Sequence, residues 1–83
     1  MSYIPEEHMA EVHIIRQDYA RALAAWQAAP SLDNVRTLKG VGGRRERAIR
    51  MIHEEDGMSV RHLAAMFRCS KQVIRAALEG GES

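Results

Sequence analysis

Lys71, Gln72 and Arg75 fall at spacings that put them on one side of a helix, if the stretch through Leu78 is helical. Their chemistry suits a nucleic acid. Lys and Arg donate to phosphate oxygens and guanine edges, and Gln can pair with adenine in the major groove. Ala76 lies beside them, and Ser70 precedes them where its hydroxyl can meet a phosphate. The charge pattern agrees: from Gly57 through Leu78 there are four bases (Arg61, Arg68, Lys71 and Arg75) and no acid. Such a surface attracts a polyanion, although a solvated basic helix face is the plain alternative.

Positioning these side chains requires two short helices and a corner. Val60, Leu63, Ala64 and Phe67 recur at i, i+3, i+4 and i+7, an apolar stripe along the first helix. Ile74, Ala77 and Leu78 give the second helix its inward side, opposite the basic one. Ser59 and Ser70 stand where N-cap oxygens accept from free amides. Arg68-Cys69-Ser70 is the corner, Ala64 leaves room for the helices to cross closely, and Cys69 serves as a small inward hydrophobe.

Leu63-Ala64, Phe67, Cys69, Ser70, Ile74 and Ala77 together resemble the helix-turn-helix of bacterial and phage DNA-binding proteins, over about twenty residues. The resemblance implies that the second helix enters the major groove of double-stranded DNA, with Lys71, Gln72 and Arg75 toward base edges and Ser70 and Arg61 toward phosphates. That family commonly has glycine at the corner, where this chain has Arg68. Two amphipathic helices around a tight corner also occur in helical proteins that touch no DNA.

Upstream, Arg44 to about Asp56 reads as a further helix, with Ala48, Ile49 and Ile52 inward, Arg47 and Arg50 outward, and Gly57 ending it. Residues 44–83 then form a trihelical unit of the homeodomain-like kind, ending in a short tail. Its core of about ten side chains is thin, and the N-terminal helix is expected to complete it. The span 30–43 reads as a linker. Ser31 or Asp33 caps at most a short helix through Leu38, and the glycines of Lys39-Gly40-Val41-Gly42-Gly43-Arg44-Arg45 read as a hinge. No strand precedes them and no Gly-Lys-Ser/Thr follows, which argues against a nucleotide loop. The basic glycine run also resembles the DNA-binding arm of resolvase and invertase recombinases, without the proline usual in those arms. The resemblance implies that it lies in the minor groove, with Arg44, Arg45 or Arg47 on the flanking backbone.

Residues 1–29 read as one long helix. Pro5 with Glu6 and Glu7 suits a first turn, and Pro30 stops the helix after Ala29. Its broad apolar stripe holds Met9, Val12, Tyr19, Leu23 and Trp26, with Ile15 and Ala20 alongside and Ile14 on another side. So long a stripe exceeds what a small domain covers, so Val12, Tyr19, Leu23 and Trp26 are expected to pair with a second copy of the chain as well as to complete the core.

Eighty-three residues make one small domain, and an abundance of helix formers favours an all-α fold. The formal charge of +1 divides unevenly, with residues 1–38 acidic by two and residues 39–83 basic by three. One cysteine excludes an internal disulfide, and no apolar run approaches the roughly 20 residues that cross a bilayer. No secretion signal is evident, so a cytoplasmic protein is expected. His8, His13, His53, His62 and Cys69 make no zinc spacing, and no nucleophile has a base on a recognisable scaffold. The expectation is therefore a non-enzymatic, cofactor-free, all-α protein, a long N-terminal helix followed by a three-helix helix-turn-helix unit. It would act as a homodimer on double-stranded DNA, as a bacterial or phage transcriptional regulator; the sequence names no small-molecule effector. Two other readings stay open: an accessory DNA-binding factor in phage excision or packaging, and a helical protein-interaction module working through its first helix.

Overall fold

The computed structural model describes residues 4–79. Those residues are all-helical: α1 (Glu6–Ala28), α2 (Leu32–Asp56), α3 (Val60–Phe67) and α4 (Lys71–Leu78), with no strand among them. None of these helices is long and apolar enough to cross a membrane. The described residues extend 43 × 28 × 17 Å, the long dimension set by α1 and α2 lying side by side.

α1 opens at Pro5, whose carbonyl accepts from the His8 and Met9 amides, with Glu6 and Glu7 at the positive end of the macrodipole. It stops short of Pro30, which has no amide proton to continue the ladder. A three-residue turn then reverses the chain. The Asn34 side-chain amide donates to the carbonyls of Ala25 and Ala29 at 3.2 and 2.7 Å, tying down α1's open end, while its backbone N–H donates to Ser31 Oγ. One residue thereby joins the end of one helix to the start of the next.

α2 overturns the linker expected over 30–43. It is one helix of 25 residues, and Gly40, Val41, Gly42 and Gly43 lie inside it, so the glycine run is neither a hinge loop nor an extended arm. Each glycine costs a helix about 1 kcal/mol relative to alanine, a local penalty that tertiary packing can outweigh. Here Ser31 caps the start, and α1 lies alongside, offering Val35, Leu38 and Val41 a partly covering surface.

The core sits where the C-terminal half of α2 meets α1, α3 and α4. Val12 and Ile15 of α1, Ala48, Ile49 and Ile52 of α2, Met58, Leu63, Phe67, Ile74 and Ala77 form one cluster, with Val60, Ala64, Cys69 and Leu78 packed at its edge. Val12 is 1% exposed, so this expected dimer residue belongs to the chain's own interior and offers nothing to a second copy. Met9 and Ala20, expected in the inward stripe of α1, are exposed, whereas Ala22 is buried. The buried line of α1 thus runs through Val12, Ile15 and Ala22. Arg50, expected outward, turns inward instead: its Nη1 donates to the Ala77 carbonyl at 3.1 Å and caps the last turn of α4.

Candidate nucleic-acid interface

Two left-handed residues set the course of the chain from α2 to α4. Gly57 has φ 68° and ends α2, the conformation in which glycine carries no Cβ penalty. The turn is held across its mouth by His53, whose Nδ1–H donates to the Met58 carbonyl at 2.7 Å, and Met58 drops into the core. Ser59 then caps α3 by accepting from the His62 amide.

Arg68 makes the second corner, at φ 55° and ψ 51°, and is the one described non-glycine residue with positive φ. It adopts the conformation for which glycine would be expected, and the residue is exposed. The Cys69 amide donates back to the Ala64 carbonyl at 3.1 Å, a six-to-one bond that closes a Schellman motif. Cys69 and Ala64, the residues so joined, both pack on the core. Burial pushes the Cys69 thiol above its ordinary pKa.

α4 presents the face on which the sequence places its chemistry. Ile74 and Ala77 are fully buried and Val73 is half-buried, while Lys71, Gln72, Arg75 and Ala76 are exposed. Ser70 is exposed at the N-cap, its oxygen accepting from the Val73 amide at 3.2 Å, which leaves its hydroxyl proton free to donate. α4 packs on α2 and α3 and makes no close backbone approach to α1. Arg61 of α3 and Arg47 of α2 are exposed too, and no carboxylate among the described residues pairs with either, or with Lys71 or Arg75.

Arg44 and Arg45 do not join that face as free cations. Arg44 lays its guanidinium on Glu11 through two bonds, Nε to Oε2 at 2.9 Å and Nη2 to Oε1 at 3.0 Å, with Asp18 at 3.7 Å. Hydrogen bonding to Arg44 holds the Glu11 carboxyl below its ordinary pKa. Arg45 stacks over the Tyr19 ring, 4.0 Å from ring centre to guanidinium carbon, and its Nε is buried with no hydrogen-bond partner. Tyr19, Leu23 and Trp26, the other expected pairing residues, are each half-buried. Nothing in residue type or spacing distinguishes Arg44 from Arg45, because the fate of each depends on which side of α2 faces α1.

The class these features define is an all-α chain with a cationic short helix that packs on α2 and α3 and stands clear of α1. Comparison with known proteins goes no further: no family model, no curated protein and no solved structure matches the chain.

Proposed function

We propose that this chain binds double-stranded DNA with α4 in the major groove, as a sequence-specific regulator of bacterial or phage type. The observation that carries the reading is the division of α4 into a buried Ile74–Ala77 side and an exposed Lys71–Gln72–Arg75 side that α1 leaves clear. An α-helix with its side chains is about 10 to 12 Å across, comparable with the roughly 12 Å width of the major groove. Lys71, Gln72 and Arg75 reach base edges, Ser70 and Arg61 meet phosphates, and Arg47 holds the flanking backbone. Arg44 and Arg45 are assigned to the α1–α2 pair and leave the contact set. Trp26 remains as surface for pairing two copies, which would then read two half-sites.

Selection from random duplex DNA followed by a salt titration tests this. Log affinity should fall linearly with log salt, by about 0.9 for each phosphate neutralised. Arg75→Ala should cost about 1 to 3 kcal/mol at the selected site and little on unrelated duplex, if Arg75 pairs with guanine. An equal loss on every sequence would reassign Arg75 to a phosphate. No enrichment, with low-salt binding indifferent to Lys71→Ala and Arg75→Ala, would overturn the proposal.

A further inference from the structure

Behind the α3–α4 corner lies a groove of about 650 Å³, bounded by α1, by Arg45 of α2 and by the corner itself. Its floor is apolar, with Leu23, Phe67 and Val73 among the lining residues, and Tyr19 adds an aromatic ring. Arg16, Arg45 and Arg68 line it as well, and no Asp or Glu does. None of these three arginines forms an ion pair among the described residues. Arg44, one residue from Arg45, shows the contrast, since Glu11 and Asp18 both serve it.

From this we infer that the groove is a binding site for a small organic carboxylate with a flat or branched apolar body. Its volume falls within the range of about 300 to 1,000 Å³ usual for small-molecule sites. An apolar floor rewards burial of a hydrocarbon body, and guanidinium groups beside it select a planar anion as the head. Arg45 is already oriented by its stack on Tyr19, so little side-chain freedom remains to be lost when an anion arrives. A cationic ligand is opposed by the same three charges. A neutral one leaves them unanswered.

The inference is independent of DNA binding and is tested on the DNA-free chain. The probe is 2-naphthoate, compared with its neutral isostere 2-naphthalenemethanol, by calorimetry and by amide chemical shifts. Saturable binding of 2-naphthoate is expected, with shifts centred on Tyr19, Phe67 and Cys69. The alcohol should bind at least about tenfold more weakly, as the loss of a charge-assisted pair implies. Arg45→Gln should weaken the carboxylate by a similar factor while leaving the alcohol unchanged. Because Arg45 also touches Tyr19, Arg16→Gln on the groove's other wall serves as the second variant, with a smaller loss expected and the dispersion of the spectrum showing that the fold persists. Equal affinity for acid and alcohol, shifts elsewhere on the molecule, or no saturation by 2-naphthoate up to its solubility limit would each overturn the assignment.

Discussion

Between Leu32 and Gly43, α2 buries no side chain fully; between Arg44 and Asp56 it sends Ala48, Ile49 and Ile52 into the core. The first half carries all three of the helix's glycines, and Leu32 at its start is 64% exposed. The second half ends in a glycine cap and is stitched to its neighbours by Arg50 and His53. Both halves have the same backbone conformation for different reasons. The second is helical because its apolar side has somewhere to go. The first is helical because Ser31 and Asn34 secure its start and α1 lies along it, so its stability is borrowed from an adjacent helix.

Cutting into each half in turn separates these causes. Ile52→Ala, in the second half, removes a fully buried side chain and should cost about 2 to 5 kcal/mol in a urea titration, a large share of what a small domain has. Leu32→Ala, in the first, should stay within about 0.5 kcal/mol. Comparable losses from both would mean that the two halves share one core after all.

The next effect is smaller and opposite in sign. A Cβ added at Gly40 or Gly42 meets nothing within 4 Å, so alanine there gains helix propensity without a clash. Gly40→Ala and Gly42→Ala should each stabilise by about 0.5 to 1 kcal/mol and slow amide exchange from Leu32 to Gly43 more than from Arg44 to Asp56. A loss of stability in the double variant would show that something closes on these glycines in solution, and the first half would no longer count as the loose one.

How far the sequence could be read follows the same division. Pro5, Pro30, Gly57, Ser59 and Ser70 mark helix ends by chemistry that acts within a turn of the chain, and the structure starts or stops its helices within a residue or two of each. Leu63, Phe67, Ile74 and Ala77 likewise declare their buried side by period alone. α2's continuity was not legible because three glycines signal a break locally, while the packing that overrules them comes from a segment more than ten residues away. Met58 escaped notice because it lies between helices, where no period points inward. Among the basic residues, exposure of Lys71 and Arg75 follows from the helix period. The capture of Arg44 by Glu11 depends on the rotation of α1 against α2, which no local pattern encodes.

The smallest effect concerns the far end of α2, where His8 Nδ1 lies 2.6 Å from Asp56 Oδ2 and ties the start of α1 to the last turn of the more firmly held half. An acid in a helix's last turn opposes the macrodipole, and the imidazolium beside it offsets that. The hydrogen bond to Asp56, helped by the nearby charges of Glu55 and Glu7, raises the His8 pKa above its ordinary value. A raised pKa means the folded chain holds the proton more tightly than the unfolded chain. The stabilisation is therefore fully present below the unfolded pKa of about 6.5 and is lost as pH climbs through the folded value. Melting temperatures at pH 6 and pH 8.5 should differ in that direction, and His8→Gln should flatten the difference while leaving the urea response of Ile52→Ala unchanged. If the slope persists in His8→Gln, the pair does not hold the two helices together, and the advantage of α2's second half comes from the core alone.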